Sequence, residues 1–175
     1  FTTVQGGGKR ISIGAKDFTE QNIVGNIYAE LIEAKTDIKV DRELDLGGTH
    51  VVFTALTNDE VDMYVEYTGT IYASVLNETE PKPSEELYDI VKTRLQEEYG
   101  LDTLSPIGFN NTYAVAVRPD TAEELGLTSL SDLAKVSSKL KASPTLEFMN
   151  RTDGIKGMQQ TYGMEFASLH PLAVT

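Results

Sequence analysis

Two tyrosines stand at the ends of apolar runs that predict β-strands, and small polar residues surround each of them. Tyr67 lies in VEYTGT (65–70) and Tyr113 lies in FNNTYAVAV (109–117). The face of a phenol ring is electron-rich and attracts a cation by roughly 0.5 to 2 kcal/mol. A group of such rings suits a quaternary ammonium ion best, because this ion cannot donate a hydrogen bond. The rings could instead cover the edge of a hydrophobic core, and the pattern leaves both interpretations open.

Five further polar side chains lie near predicted strand ends or helix starts: Lys16, Gln21, Thr70, Asn111 and Arg151. Arg151 could hold a carboxylate in a two-pronged contact, or it could be a solvated surface arginine. Thr70 could bind a carboxylate through its hydroxyl and nearby amides, or it could serve as a helix N-cap. Gln21 could hydrogen-bond a ligand or lie on a helix surface, and Asn110 and Asn111 could supply turn contacts or backbone carbonyls.

The chain carries little that would support catalysis. It has no cysteine, and its two histidines, His50 and His170, are far apart in sequence. The common metalloprotease, phosphate-loop and serine-nucleophile motifs are absent. Asp62 and Glu66 alternate with apolar residues, so we expect them to face water rather than form a catalytic pair. We therefore predict a protein that is not an enzyme and uses no cofactor, with an enzyme on the same framework as an alternative.

The acidic composition argues against one class of partner. The net charge is −12 and the isoelectric point is near 4.5, whereas nucleic-acid binding requires a cationic face for the phosphates. No apolar stretch approaches the roughly 20 residues that span a bilayer. No secretion signal is visible, so we expect that a leader has been removed or that the segment comes from a longer protein.

The first half of the chain alternates predicted strands and helices. Strands are predicted at 10–14, 38–44 and 61–67, with one helix capped by Thr19 and another spanning 51–56. This order predicts a parallel sheet with right-handed crossovers. A further helix, capped by Ser84, is predicted to run through Tyr99, and Gly100 ends it.

The pattern restarts near residue 110, which predicts a second α/β lobe. Its predicted elements are a strand at 112–117, short helices at 122–125 and 130–134, a short strand at 142–146 and a helix from Thr152 to about Tyr162. We divide the chain into a linker or remnant (1–9), lobe one (10–108) and lobe two (109–175). Lobe two lacks a clear last strand, so we expect the fold to be truncated there. Ligands of such sheets bind beyond the carboxyl ends of the strands.

Five stretches taken together resemble one protein family: IGAKDFTEQNIVGNIYAELIEAKT, LDLGGTHVVFTAL, VDMYVEYTGT, PIGFNNTYAVAVR and EFMNRTDGIKGMQQTYG. The chain is similar to substrate-binding proteins of ABC importers for glycine betaine, choline and carnitine, the ProX/OpuAC-like group, especially its OpuBC and OpuCC branch. The resemblance spans residues 10–167. It implies a two-lobe α/β fold of the periplasmic-binding-protein type (type II).

The resemblance also implies a role for each candidate residue. Tyr67 and Tyr113 correspond to two walls of a tyrosine box around a trimethylammonium group. Contacts to a ligand carboxylate are implied for Lys16, Thr70 and Arg151, a main-chain carbonyl contact to the cation for Asn111, and a ligand contact for Gln21. Choline-selective members often have an acid where this chain has Thr70, so threonine suggests a broader or carboxylate-bearing range of ligands. Family members supply two more box tyrosines from sequence beyond this chain, and we expect Tyr162 to pack rather than join the box.

The implied function is the extracytoplasmic solute-binding component of an ABC importer, which captures a quaternary ammonium compound by lobe closure. Its expected partners are this ligand, the permease and its ATPase. The protein would be periplasmic, or membrane-associated through a lipid anchor or through fusion to the permease. Related ergothioneine importers share these motifs, so the binding domain of such an importer is an alternative, and a sensory ligand-binding domain is another.

Overall fold

The computed structural model describes residues 8–172. The linker predicted at 1–9 lies outside this range except for its last two residues. Within the range, three parallel strands form the first sheet in the order β2-β1-β3. Its elements are β1 (Arg10–Gly14), α1 (Thr19–Lys35), β2 (Lys39–Glu43), α2 (Thr49–Thr57) and β3 (Met63–Tyr64). The predicted parallel sheet is therefore confirmed.

β3 is shorter than the strand predicted at 61–67. The backbone leaves the sheet after Tyr64, and the carbonyl of Val65 accepts a hydrogen bond from the side chain of Gln21 at 3.0 Å. This early exit places Glu66, Tyr67 and Thr70 beyond the end of the strand, where they line the cavity described below.

α1 packs on the sheet through small residues rather than through its large apolar ones. Gly25 and Ala29 are buried, and a Cβ placed at Gly25 would lie 3.4 Å from Leu44 Cδ2. The helix can approach the sheet closely only because these side chains are small. The larger apolar residues Ile23 and Ile27 are by contrast 54% and 58% exposed. The predicted cap at Thr19 is wrong, because Thr19 is the first residue of the helix and no side chain caps its first turn.

A hydrophobic core packs against Phe53 of α2. It is built by a short helix α3 (Thr68–Thr70), a π-helical turn that continues it (Ile71–Val75), and α4 (Ser84–Tyr99). Its buried members are Ile71, Tyr72, Val75, Leu76, Val91 and Leu95. Gly100 ends α4 in the left-handed conformation (φ 68°), as predicted. The predicted cap at Ser84 is wrong, because Ser84 is the first residue of the helix and no side chain caps its first turn.

The strand predicted at 112–117 is wrong, because residues 101–118 contain neither helix nor strand. Tyr113, Val115 and Val117 are 50%, 46% and 37% exposed. A β-strand requires a neighbour that accepts and donates its backbone hydrogen bonds. No strand among residues 8–172 lies beside this segment, so its apolar alternation has nothing to pair with.

The remainder forms a small second sheet with four helices. Its elements are α5 (Pro119–Leu125), α6 (Leu130–Val136), β4 (Lys141–Ala142), α7 (Leu146–Asn150), α8 (Ile155–Tyr162) and β5 (Ser168–Leu169). A 3₁₀ turn (Ser137–Lys139) follows α6, and β4 and β5 pair in parallel. The strand predicted at 142–146 stops early because Thr145 caps α7. Its hydroxyl accepts a hydrogen bond from the backbone N–H of Phe148 at 3.1 Å.

The predicted cap at Thr152 is wrong, since α8 begins at Ile155 after Gly154. Within residues 8–172, no helix combines the length and the apolar character needed to cross a bilayer.

Candidate functional site

An open cavity of about 1750 Å³ lies where the ends of β1 and β3 face the 101–118 segment and α7. This volume exceeds the roughly 300 to 1,000 Å³ of a typical small-molecule pocket, as expected for an open cleft. The lining includes six of the predicted site residues: Lys16, Tyr67, Thr70, Asn111, Tyr113 and Arg151. The structure therefore brings most of the candidates to one place, although they are up to 135 positions apart (151 − 16).

Lys16 is buried at the end of β1 and carries an ion pair. Only 2% of its side chain is exposed, and its Nζ lies 2.6 Å from Glu66 Oε1. It also donates to Thr49 Oγ1 at 3.2 Å. Burial raises the pKa of Glu66, and the charge of Lys16 acts against this rise. The charge of Lys16 is therefore already neutralised by Glu66.

The expectation that Glu66 faces water is wrong, because only 7% of its side chain is exposed. The strand ends two residues before Glu66, so the alternation that predicted a solvent-facing position no longer applies. Its Oε2 is buried and has no hydrogen-bond partner among residues 8–172. An unpaired buried carboxylate oxygen is costly, so Glu66 depends on Lys16.

Tyr67 is held by polar contacts on one side and an aromatic ring on the other. Its hydroxyl donates to Glu20 and accepts from Gln21 Nε2 at 3.1 Å. The ring stacks at 6.4 Å, centre to centre, on Phe18, and Lys16 Nζ lies 4.9 Å from its centre. Burial and the hydrogen bond to Glu20 raise the pKa of Tyr67 to about 12. Tyr67 is therefore an uncharged, oriented phenol at neutral pH.

Gln21 lies behind Tyr67 rather than in the cavity lining. It is 1% exposed, and its Oε1 accepts from the backbone N–H of Lys16 at 3.3 Å. In this position Gln21 would influence a ligand through the ring that it holds. Asn111 lies in front, where its Nδ2 donates to Glu20 Oε1 at 2.7 Å and ties the 101–118 segment to α1.

Arg151 is buried and forms a second charged cluster. It is 8% exposed, which excludes the alternative of a solvated surface arginine. Its Nε and NH2 donate to the two oxygens of Asp153 at 2.8 and 2.7 Å, and NH1 donates to Thr70 Oγ1 at 3.0 Å. Its guanidinium carbon lies 5.4 Å from the centre of the Tyr113 ring. Tyr113 also packs at 4.8 Å, centre to centre, against Phe148.

The cavity has a strong excess of negative charge. Its lining contains two basic side chains, Lys16 and Arg151, and seven acidic ones, which are Asp17, Glu20, Asp62, Glu66, Asp102, Glu147 and Asp153. Two of these acids already neutralise the two bases, so the remainder favours a cationic occupant. No group of three His, Asp or Glu side chains within residues 8–172 is arranged as metal ligands.

Sequence reasoning missed four side chains that build this site: Phe18, Glu20, Glu147 and Phe148. Phe18 and Glu20 flank Thr19 in a motif that drew attention only to Lys16 and Gln21. Glu147 and Phe148 lie on α7, a helix that was not predicted. The only available signal was their closeness in sequence to the singled-out Lys16, Gln21 and Arg151.

Comparison with known proteins places these features in a family. A family profile described as the substrate-binding domain of the ABC-type glycine betaine transport system matches residues 9–173. The carnitine transport binding protein OpuCC of Listeria monocytogenes is 37% identical over 166 residues. The ergothioneine transport permease/ergothioneine binding protein EgtU of Helicobacter pylori is 32% identical over 167 residues, and the glycine betaine-binding protein YehZ of Escherichia coli is 33% identical over 160 residues.

The matches cover most of this chain but only part of each relative. They include 94%, 95% and 89% of this chain, and 54%, 30% and 52% of OpuCC, EgtU and YehZ. Thus the chain spans about half the length of two of these relatives and less of the third. A crystal structure of a glycine betaine/carnitine/choline ABC transporter protein superposes with a TM-score of 0.65 at 27% identity, covering 95% of this chain and 61% of that one. The predicted α/β fold of the periplasmic-binding-protein kind is confirmed by this match.

Proposed function

This chain belongs to the family of substrate-binding domains of ABC-type glycine betaine transport systems, and on that premise we propose that its cavity captures a small quaternary ammonium compound. Glycine betaine, choline and carnitine are the candidate ligands. The relatives are transport binding proteins rather than enzymes, and the same holds for this family member. The ligand leaves the protein chemically unchanged.

The observation that carries this proposal is an aromatic cavity whose charge is strongly negative. A quaternary ammonium ion cannot donate hydrogen bonds, so it gains from ring faces and from nearby carboxylates rather than from directed acceptors. Tyr67 and Tyr113 line the cavity, and each has an internal cation near its ring, Lys16 and Arg151 respectively. These contacts indicate that both rings can stabilise a nearby positive charge. The ligand would contact the parts of the two rings that border the cavity.

Closure around the ligand would provide the mechanism. Three hydrogen bonds already join the first sheet region to the later segments: Asn111 to Glu20, Arg151 to Thr70, and Thr49 to Glu147. A ligand that touches Tyr67 on one side and Tyr113 on the other would favour the arrangement in which the two sides are close. The division into lobes at residues 108 and 109 stays a prediction.

We further propose that the loaded protein delivers its ligand to an ABC permease driven by an ATPase. The family description, which names an ABC-type transport system, supports this step. The protein would act outside the cytoplasm, in the periplasm or at the membrane through a lipid anchor or fusion to the permease. EgtU, which is named as both a permease and a binding protein, supports the fusion.

A thermal-shift panel on the protein expressed from its whole natural gene tests the proposal. Ligands that bind only the native state raise its melting temperature as their concentration increases. We expect at least one of glycine betaine, choline and carnitine to do so. If none of them shifts the melting temperature at millimolar concentration, the proposed function is wrong.

The same panel tests a second candidate, the binding domain of an ergothioneine importer, which the match to EgtU favours. Ergothioneine carries the same trimethylammonium group on a histidine-derived skeleton. A shift with ergothioneine that exceeds those with glycine betaine, choline and carnitine would establish this second function in place of the first.

Replacing Tyr67 by alanine should weaken ligand binding by at least about tenfold, because one wall of the box is lost. Isothermal titration calorimetry with the ligand that gives the largest thermal shift measures this change. Tyr162→Ala is the matched control, since Tyr162 is 39% exposed on α8 and lies outside the cavity lining. An unchanged affinity in Tyr67→Ala would reject the box.

A further inference from the structure

We propose that the carboxylate of Glu147 occupies the anion position between Lys16 and Arg151, and thereby disfavours ligands that carry a carboxylate of their own. This inference rests on the proposed function and specifies how the same site discriminates among quaternary ammonium compounds. A cation without a carboxylate, such as choline, leaves Glu147 in place. A zwitterion such as glycine betaine competes with it.

The geometry of Glu147 supports this position. Its Oε1 lies 3.9 Å from Lys16 Nζ and 3.9 Å from Arg151 NH1, and it accepts a hydrogen bond from Thr49 Oγ1 at 2.7 Å. The side chain is 19% exposed and lines the cavity. Glu147 therefore contacts the two cations that the family resemblance assigns to a ligand carboxylate.

The charge balance of this cluster explains the discrimination. Glu66 pairs with Lys16 at 2.6 Å, and Asp153 pairs with Arg151 at 2.7 Å. The two cations are thus neutralised before Glu147 is counted, and Glu147 brings the cluster to a net charge of −1. A ligand carboxylate would change the net charge of the cluster from −1 to −2, unless Glu147 moved away and lost its hydrogen bond with Thr49. Repulsion between like charges in a partly buried site is strong, because the surroundings screen it poorly.

The position of Glu147 alters the ligand preference that Thr70 by itself suggested. The threonine suggested a tolerance for carboxylate-bearing ligands, because the family resemblance implies an acid at that place in choline-selective members. Arg151 donates to Thr70 Oγ1 at 3.0 Å, and the same NH1 lies 3.9 Å from Glu147. The negative charge that position 70 lacks is therefore supplied by Glu147 from α7.

Calorimetric titration of Glu147→Gln with glycine betaine and with choline tests the inference, using protein expressed from the whole natural gene. Glutamine keeps the shape and an oxygen for Thr49 but removes the charge. We expect glycine betaine to bind more tightly and choline to bind equally or less tightly, so that the ratio of their dissociation constants shifts by at least about tenfold. Glu124→Gln, which removes the charge of an exposed glutamate on α5, should leave the ratio unchanged.

A comparison of ligands on the unaltered protein gives a second test that requires no variant to fold. The methyl ester of glycine betaine keeps the trimethylammonium group but carries no carboxylate charge, so it should bind at least about tenfold more tightly than glycine betaine. Equal or weaker binding of the ester overturns the inference. So does an unchanged ratio in Glu147→Gln while the unaltered protein binds quaternary ammonium ligands, and in that case the proposed function stands. If the unaltered protein binds none of these compounds, the proposed function fails and the inference fails with it.

Discussion

Replacing Lys16 by methionine should lower the free energy of unfolding by about 3 to 5 kcal/mol, the usual cost of removing one partner of a buried ion pair. Methionine fills a similar volume, but Glu66 would keep a charge that is only 7% exposed. One oxygen of Glu66 already lacks a hydrogen-bond partner within residues 8–172, and the variant would remove the 2.6 Å contact of the other with Lys16. Urea denaturation at an unchanged m-value measures the loss.

Two further variants separate the ion pair from the loss of a lysine in general. The double variant Lys16→Met with Glu66→Gln should recover most of the stability, because no charge is left buried. Lys156→Met, at an exposed lysine on α8, should change the stability by no more than about 0.5 kcal/mol. If Lys16→Met unfolded at the same urea concentration as Lys156→Met, the prediction that Glu66 depends on its ion pair with Lys16 would be wrong.

Replacing Gly154 by alanine should cost about 3 kcal/mol of stability, the upper part of the usual range for forcing an atom into a packed site. The new Cβ would clash with the carbonyl oxygen of Phe148, which is a backbone atom and cannot rotate away. The turn between α7 and α8 would have to open. That turn holds Arg151 against Asp153, so the second charged cluster of the cavity would be disturbed as well.

Gly69→Ala is the matched control for this substitution. A Cβ at Gly69 meets no atom within 4 Å, and the residue lies in α3, so alanine should be neutral or stabilising by about 0.4 to 1 kcal/mol. Thermal unfolding of both variants provides the measurement. If Gly154→Ala melted at the same temperature as Gly69→Ala, the predicted clash with the Phe148 carbonyl would be wrong.

Local sequence patterns predicted the elements whose formation depends on neighbouring residues in the chain. The strand–helix alternation before residue 65 became a parallel sheet, and Gly100 ended α4 as predicted. The strand at 112–117 failed because a strand also needs a partner, and alternation cannot supply one. α3 and α7 were missed because helices of three and five residues are too short to show a periodic apolar pattern.

Motif resemblance indicated where the candidate residues would gather, and the cavity contains six of the seven. It did not indicate their partners. The pairing of Lys16 with Glu66 joins positions 50 residues apart, and the contact of Thr49 with Glu147 joins positions 98 apart. Such contacts form only when the chain folds back on itself, so no local spacing encodes them.

The amino-acid sequence by itself determined the family, the order of the main elements and six of the residues that face the cavity. Those properties follow from residue types and short spacings that a linear chain displays directly. The tertiary structure alone decided which charges are buried, which acids neutralise Lys16 and Arg151, and where Glu147 lies between them. Burial and charge pairing depend on distances in space, and they decide whether a cation is available to a ligand or already satisfied by the protein.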